Sequence, residues 1–255
     1  MTRRRPLIAG NWKMHQTVAS SGTLVVEILA AIPPQAYDEV DVVLCPPFTA
    51  LAGVALAIEG TGLQLGAQNV SAFDWGPYTG QISAPMLLEF GTRYVIIGHS
   101  EVRTQCGETD AGCSAKLRAA LQSGMTPILA VGETLAEHEG GLTRQIVGAQ
   151  VRQAFEGVSA VDAERCVIAY EPIWAIGSGR SDTPEDAAAV IAEIRTLVPG
   201  LDRARCLYGG SMKPANAEAL LAQPEIDGGL IGGASLDAAA FALLVNLARK
   251  AIATR

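Results

Sequence analysis

The chain has 255 residues, of which 49% are hydrophobic and 18% are charged, and 19 basic against 26 acidic side chains leave a formal net charge of −7. A chain this apolar can bury enough surface to offset the entropy lost on folding, so we exclude intrinsic disorder and expect a globular protein. The acidic net charge disfavours a nucleic-acid partner, because binding to a phosphate backbone needs clustered basic residues. The only such cluster in the sequence is Arg3, Arg4 and Arg5, which we interpret as a frayed, solvated end.

Eight short apolar runs recur along the chain, most of them followed by Gly or a polar residue. Most do not alternate in polarity, which is typical of parallel strands that are covered on both faces. In chain order, the predicted strands are residues 7–10, 40–45, 63–67, 94–98, 127–132, 166–170, 206–209 and 229–232.

Alanine-rich stretches with helical spacing separate these runs, and two of them, residues 187–197 and 215–221, follow a capping residue and a proline. One strand with its helix takes roughly 30 residues, so the chain has room for eight such units. We therefore predict an α/β fold with a single domain over residues 1–255, a (β/α)8 barrel. A doubly wound open sheet is the alternative, but no Gly-rich dinucleotide fingerprint follows Gly10.

Five cysteines, Cys45, Cys106, Cys113, Cys166 and Cys206, are scattered along the chain without metal-binding spacing. We predict that they are buried free thiols, which favours a reducing, cytoplasmic location. The apolar stretch after the first arginines is too short for a secretion signal or a membrane span. We therefore expect no membrane association.

Polar residues directly after the predicted strands are the candidates for chemistry, because the strands of such a barrel all end at one rim. Asn11 and Lys13 follow the first strand, His99 the fourth and Glu171 the sixth. Each has an ordinary structural interpretation by itself, as a solvated lysine, a buried histidine or a turn-capping carboxylate. Together, a carboxylate, an imidazole and a fixed cation favour proton transfer beside an anionic substrate.

Glycines after the last two predicted strands indicate an anion site. Gly232 and Gly233 end the eighth run, and we expect a short helix to begin at Leu236-Asp237-Ala238. Backbone amides there and at Gly209-Gly210-Ser211 would face a phosphate group. Tight turns explain either glycine run alone, but they do not explain both at adjacent strand ends.

The segment after the candidate base is predicted to be a lid, because closing a stiff apolar segment over the site would remove water from it. Its residues are Pro172, Ile173, Trp174, Ala175, Ile176, Gly177 and Ser178. Core packing of Trp174 is the simpler interpretation, and the two are compatible. The long segment of residues 68–85 is a second candidate functional loop.

Histidine spacing argues against metal chemistry. His15, His99 and His138 are the only histidines, and no two of them have the spacing of a ligand pair on a helix or a hairpin. We therefore expect neither a metal nor another cofactor.

Five motifs stand at the ends of the predicted strands, in a fixed order along the chain. They are Gly10-Asn11-Trp12-Lys13-Met14, Gly98-His99-Ser100-Glu101, Tyr170-Glu171-Pro172-Ile173-Trp174-Ala175-Ile176-Gly177, Tyr208-Gly209-Gly210-Ser211 and Gly232-Gly233-Ala234-Ser235. From about Leu7 to the last predicted helix, the chain resembles the triosephosphate isomerase family. The resemblance implies cofactor-free interconversion of dihydroxyacetone phosphate and D-glyceraldehyde 3-phosphate through an enediol, in glycolysis and gluconeogenesis.

The resemblance also implies a role for each candidate residue. Glu171 would be the base that moves the carbon-bound proton, and His99 would polarise the substrate oxygens. Lys13, assisted by Asn11, would hold the substrate's negative charge, with Glu101 as a neighbour that supports these groups.

For the phosphate, the resemblance implies a set of amides and one hydroxyl, from Gly177, Ser211, Gly232 and Gly233. Proton abstraction beside a carbonyl also needs a dry site. We expect Ile176 and Leu230 to lie against Glu171 and to exclude water from its carboxylate.

Two positions depart from the family pattern, and each loses a charge. Val102 precedes Arg103 where the family usually has two arginines, and Gln81 follows Tyr78-Thr79-Gly80 where the family usually has a glutamate. In the family this loop reaches a partner subunit beside the lysine. We therefore expect a homodimer held by apolar contacts and Thr79, with one interfacial ion pair lost.

Three other functions are compatible with this sequence. A related isomerase could use the same groups on a four-carbon ketose phosphate such as erythrulose phosphate, and rates on three- and four-carbon substrates would discriminate the two. A lyase or aldolase could use Lys13 as a Schiff base, which borohydride trapping would detect. A non-catalytic sugar-phosphate-binding protein is the third alternative, although binding alone does not need Glu171.

Overall fold

Residues 4–176 and 182–254, which the computed structural model describes, contain eight strands. The strands are β1 (Leu7–Asn11), β2 (Asp41–Cys45), β3 (Leu63–Ala67), β4 (Tyr94–Ile97), β5 (Thr126–Val131), β6 (Val167–Tyr170), β7 (Arg205–Tyr208) and β8 (Gly228–Ile231). Each strand pairs in parallel with the next one along the chain, and β8 pairs with β1 to close the barrel. The predicted (β/α)8 barrel is confirmed, with every strand end within one residue of its predicted position.

Helices alternate with the strands and cover the outside of the barrel. The α-helices of the described residues are α1 (Val18–Ala31), α2 (Leu51–Ala57), α3 (Ala84–Leu88), α4 (Ser100–Cys106), α5 (Asp110–Gln122), α6 (Leu135–Glu139), α7 (Thr143–Ala154), α8 (Ala160–Arg165), α9 (Pro184–Ile194), α10 (Pro214–Ala222) and α11 (Ala238–Thr254). Short 3₁₀ helices span Pro34–Asp38, Phe48–Ala50, Ile173–Ala175 and Gly233–Leu236. None of the described helices has the length and apolar character needed to cross a membrane.

Strand side chains alternate between two apolar layers. Leu7, Ala9 and Leu230 belong to a buried cluster inside the barrel. Ile8 and Ile231 belong to a second cluster, between the strands and the helices. Burying one such aliphatic side chain contributes about 1.5–3 kcal/mol. Both faces of each strand are therefore apolar, which explains why the predicted runs do not alternate in polarity.

The predicted proline starts of α9 and α10 are confirmed, since both helices begin at a proline. In α9 the Thr183 hydroxyl accepts a hydrogen bond from the Asp186 N–H at 3.1 Å. In α10 the side chain of Asn216 accepts instead from the Lys213 N–H at 2.8 Å. The capping oxygen of α10 thus comes from inside the helix.

The interpretation of the basic cluster as a frayed, solvated end was wrong for Arg4 and Arg5, while Arg3 lies outside the described residues. Arg4 Nε lies 2.9 Å from Asp227 Oδ2, and Arg5 Nε lies 2.7 Å from Asp41 Oδ1. Asp41 begins β2 and Asp227 directly precedes β8, so the two arginines connect the start of β1 to both of its neighbours. The pairing of β1 with β2 brings Asp41 to Arg5, and barrel closure brings Asp227 to Arg4.

Four of the five cysteines are buried free thiols, as predicted, and the fifth is exposed. The buried ones are Cys45, Cys113, Cys166 and Cys206. Burial raises the pKa of each buried thiol to about 12, so these thiols stay protonated and unreactive at neutral pH. The prediction was wrong for Cys106, because the last turn of α4 faces solvent.

The carboxylate of Asp227 is the main buried polar group at the amino-terminal end of the barrel. Its side chain is 2% exposed. Oδ2 accepts from Arg195 Nη2 at 2.6 Å and from the Cys206 N–H at 2.9 Å, in addition to the contact with Arg4. This one side chain therefore joins β7, β8, α9 and the start of the chain.

We expect Asp227→Asn to lower the free energy of unfolding by about 3–5 kcal/mol, because it removes the buried carboxylate shared by Arg195 and Arg4 and leaves Arg195 only the partly exposed Glu225. Urea unfolding would measure the loss. Glu164→Gln is the matched control, since Glu164 pairs with Arg203 at 2.9 Å on the surface, where an ion pair contributes about 0–1 kcal/mol. Equal losses in the two variants would contradict the expectation.

Candidate active site

The carboxyl ends of the strands surround a pocket of about 430 Å³. The predicted site residues that line it are Asn11, Lys13, His99, Glu171, Ile176, Ser211, Leu230, Gly232 and Gly233. They come from the ends of five strands or the loops that follow them. Met212, Lys213, Pro214 and Ala240 also line the pocket, and sequence reasoning missed them as pocket residues.

The loop after β1 holds Lys13 in an unusual backbone conformation. Lys13 has a φ of +53°, in the left-handed region that residues other than glycine rarely adopt. Its N–H donates to Asn11 Oδ1 at 3.0 Å. The side chain of Gln68 donates to the carbonyl oxygens of Lys13 at 2.8 Å and Cys45 at 2.9 Å. These bonds offset the backbone strain and fix the lysine where it lines the pocket.

Glu101 links the lysine to the histidine. Lys13 Nζ lies 2.6 Å from Glu101 Oε1. The N–H of Glu101 donates to His99 Nδ1 at 3.2 Å. Since Nδ1 accepts this bond, the neutral imidazole carries its proton on Nε2, the nitrogen that faces Glu171. His99 is therefore set up to donate a hydrogen bond into the pocket.

Glu171 follows β6 and is almost fully buried, at 2% exposure. Its Oε1 lies 3.2 Å from His99 Nε2, and its Oε2 accepts from the Ser100 N–H at 3.2 Å. Two glycines make room for it. A Cβ at Gly132 would lie 1.7 Å from the Glu171 carbonyl oxygen, and a Cβ at Gly209 would lie 2.6 Å from Glu171 Cγ. Both carboxylate oxygens are thus engaged by donors of the protein.

The glycine run after β8 forms a 3₁₀ helix, Gly233–Leu236, and α11 begins at Ala238, inside the stretch where a helix was expected to start. The N–H and the hydroxyl of Ser235 both donate to the Gly232 carbonyl, at 2.8 and 2.6 Å. Gly232 and Gly233 consequently line the pocket, as the anion-site prediction requires.

The lid segment is anchored at its start by a residue that sequence reasoning did not single out. Glu133 is fully buried, and its Oε1 accepts from Trp174 Nε1 at 2.8 Å and from the Tyr170 hydroxyl at 3.2 Å. The imidazole of His138 packs on the Trp174 ring, with the ring centroids 4.4 Å apart. A carboxylate directly after a buried strand, as in Gly132-Glu133, was the available signal.

The remaining lid residues divide between the described chain and the part outside it. Ile173, Trp174 and Ala175 form a 3₁₀ helix, and Ala175 is fully buried. Pro172 precedes that helix and is also buried. Gly177 and Ser178 lie outside the described residues.

Asp182 follows the last lid residue, Ser178, by four positions in the chain and was also missed. It is 7% exposed, its N–H donates to the Tyr208 hydroxyl at 3.3 Å, and its Oδ1 accepts from the Thr183 N–H at 2.9 Å. Burial raises the pKa of Asp182 to about 6, although the Thr183 hydrogen bond opposes the shift. Burial also raises the pKa of Tyr208 to about 12, so its hydroxyl stays protonated.

Metal-binding side chains do not cluster in residues 4–176 and 182–254, where no three His, Cys, Asp or Glu side chains could hold one ion together. The expectation that the site works without a metal stays a prediction.

Comparisons with known proteins agree with this geometry. Residues 6–248 match the family model described as triosephosphate isomerase. Proteins named triosephosphate isomerase from Moorella thermoacetica and Thiobacillus denitrificans are each 49% identical to this chain, over 95% and 97% of it and over 98% and 100% of their own length. One from Chloroflexus aurantiacus is 49% identical over 95% of this chain and 99% of its own. The chain belongs to the triosephosphate isomerase family.

The predicted resemblance to triosephosphate isomerases, a family of aldose–ketose isomerases, is confirmed, and the (β/α)8 fold is the TIM barrel named after that family. The two positions that depart from the family pattern lie outside the pocket. Gln81 and Thr79 are exposed in the loop after β3, and Val102 is half-buried in α4. Arg103, beside Val102, donates to the Gly98 carbonyl at 2.7 Å.

The raised pKa of Asp182 predicts a pH-dependent stability difference. A carboxyl group whose folded-state pKa of about 6 exceeds its unfolded value of about 4 destabilises the fold above pH 6 and has no effect below pH 4. We expect Asp182→Asn to raise the free energy of unfolding at pH 7–8 by up to about 2 kcal/mol, since some solvent reaches the group.

Chemical denaturation at several pH values would measure this gain, which should shrink as the pH falls from 6 to 4. Asp202→Asn, at an exposed site, is the control and should show no such trend. A gain that grows toward low pH would contradict the assignment of the shift to Asp182.

Proposed function

We propose that this protein interconverts dihydroxyacetone phosphate and D-glyceraldehyde 3-phosphate in glycolysis and gluconeogenesis. The observation that carries the proposal is the convergence of Glu171, His99 and Lys13 on one pocket of about 430 Å³. A carboxylate, an imidazole that presents Nε2 and a paired ammonium are the groups that moving a proton between adjacent carbons requires.

Glu171 is the proposed base. Its carboxylate takes a proton from C1 of dihydroxyacetone phosphate and returns one to C2, so the enediol forms and collapses with no net gain of electrons or protons. His99 donates from Nε2 to the oxygens that become negative in between. In the described arrangement Glu171 contacts His99 and the Ser100 amide, and it must release these donors to reach the carbon.

Lys13 is the proposed fixed cation beside the substrate. Its pairing with Glu101 at 2.6 Å supports this role over a Schiff base, because an adjacent carboxylate stabilises the cation and not the free amine that attacks a carbonyl. Asn11, whose side-chain oxygen accepts from the Lys13 N–H, helps to position it.

Phosphate binding is assigned to the backbone amides of Gly232 and Gly233 and to Ser211, which line the pocket beside Lys13. Gly177 is proposed for the same role from the family resemblance alone. Local donors matter here because the net charge of −7 repels an anionic substrate at long range. Closure of residues 172–178 would exclude water and protect the enediol from phosphate loss.

We further propose a homodimer and a cytoplasmic location. Met14 is 95% exposed and Trp75 is 68% exposed, and large apolar side chains left this exposed favour a contact site. The Gln68 side chain bonds the Lys13 carbonyl, so the loop that carries Trp75 and Thr79 starts beside Met14. Free thiols at all five cysteines fit a reducing compartment.

Replacing Glu171 by Gln should lower kcat for triose phosphate isomerisation about 10²–10⁴-fold, which is the usual contribution of a positioned base. A coupled assay with glyceraldehyde 3-phosphate would measure it. The surface variant Glu164→Gln should keep wild-type rates. A Glu171→Gln enzyme with wild-type kcat would refute the proposed mechanism.

Sedimentation should give the mass of a dimer at micromolar concentration. Met14→Glu should shift the protein toward monomer, because it would bury a charge in the interface. Val161→Glu places the same charge at another exposed apolar position, on α8, and should leave the dimer intact. A fully active wild-type monomer at that concentration would overturn the dimer proposal.

A further inference from the structure

Met212 connects the pocket to the apolar layer outside the barrel. It lies in the loop of residues 209–213, between β7 and α10, directly after Ser211. Met212 lines the pocket, yet it is only 3% exposed and belongs to the cluster between strands and helices. Its side chain thus enters the protein interior from the loop that carries a proposed phosphate ligand.

The side chain of Met212 occupies space that is free because residue 229 is a glycine. A Cβ built on Gly229, in β8, would lie 2.8 Å from Met212 Sδ and 2.7 Å from Ile231 Cδ1. Both distances are below 3.0 Å, so a Cβ at residue 229 would force the distal ends of the Met212 and Ile231 side chains to shift. The φ angle of Gly229 is not positive, so glycine at this position provides space and is not needed for an unusual turn. We call this space the Gly229 notch.

Other contacts hold the backbone of the same loop. The Gly209 N–H donates to the Tyr170 carbonyl at 2.8 Å, and Asn216 Nδ2 donates to the Ser211 carbonyl at 2.9 Å. The N–H of Met212 donates to the Gly210 carbonyl at 2.8 Å. These hydrogen bonds hold the start of the loop and the backbone of Ser211, and the side chain of Met212 adds a packing contact with β8.

We propose that Met212, seated in the Gly229 notch, is a positioning residue that fixes the loop of residues 209–213 for phosphate binding. The inference rests on the proposed function, in which Ser211 contacts the substrate phosphate. Packed interiors transmit small displacements, and about 1 Å of misplacement can cost a site up to about 100-fold in activity. A thioether that cannot enter its notch therefore moves Ser211.

Four variants test the proposal: Gly229→Ala fills the notch, Met212→Ala empties it, Gly229→Ala with Met212→Val restores a smaller fit, and Gly66→Ala is the control. Gly66, in β3, is as crowded as Gly229, since its Cβ would lie 2.4 Å from Cys45 Sγ, but it does not line the pocket. The measurements are the Kd for inorganic phosphate by calorimetry, and KM, kcat and Tm.

Gly229→Ala should raise both the Kd for inorganic phosphate and the KM about tenfold, while kcat changes by less than about threefold, because uniform binding is what is lost. Adding Met212→Val should restore both constants to within about threefold of wild type. Met212→Ala should also weaken phosphate binding. Gly66→Ala should lower Tm and leave the Kd and KM unchanged.

An unchanged phosphate Kd in Gly229→Ala, or no recovery in the double variant, would overturn the proposal. If Gly229→Ala does not fold, Met212→Ala decides, and wild-type phosphate affinity in that variant would also overturn it. The wild-type protein could lack isomerase activity while the variants still change the phosphate Kd as expected above. That result would refute the isomerase proposal and support the positioning role of Met212.

Discussion

The pairing of β8 with β1 is the constraint on which the site depends. Gly10 pairs with Ile231 in that ladder, so Asn11 and Gly232 leave the barrel side by side. In an open sheet, the first and last of eight strands could not meet in this way. Because the barrel closes, Lys13 reaches across to Gly232, where a Cβ would lie 3.3 Å from Lys13 Cε. One backbone ladder thus brings the cation and the candidate phosphate amides to the same wall.

Glycines leave the space that two side chains of the candidate site, Glu171 and Met212, occupy. Gly132 and Gly209 leave the space that Glu171 occupies, and Gly229 leaves the space for Met212. In each case a strand end or loop approaches its neighbour too closely for a Cβ. Because protein interiors are densely packed, a side chain that fills such a space has little room to move and keeps one orientation. Packing as well as hydrogen bonds therefore holds Glu171, the proposed base, and the proposed phosphate loop in place.

Charge in this protein acts locally. The chain is acidic overall, with a formal charge of −7, yet its pocket contains Lys13 and exposed amides. Two buried acids border the proposed lid: Glu133 accepts a hydrogen bond from Trp174, and Asp182 follows the segment in the chain. Burial raises the pKa of Asp182 and so opposes its ionisation. An ionised Asp182 thus lowers stability beside the proposed lid, whereas the aliphatic core carries no such cost.

The sequence by itself determined the strand positions and the candidates Asn11, Lys13, His99 and Glu171, because an apolar run and the polar residue after it form a local pattern. The tertiary structure alone decided which distant residues meet. It also decided that Cys106 is exposed. The contacts that it set are the hydrogen bonds of Gln68 with Lys13, Trp174 with Glu133 and Asp182 with Tyr208, the salt bridge of Arg4 with Asp227, and the packing of Met212 in the Gly229 notch. The residues of each pair are separated by tens to hundreds of positions, and parallel strand pairing brings them together, with barrel closure needed for Arg4 and Asp227, so no local pattern indicates them.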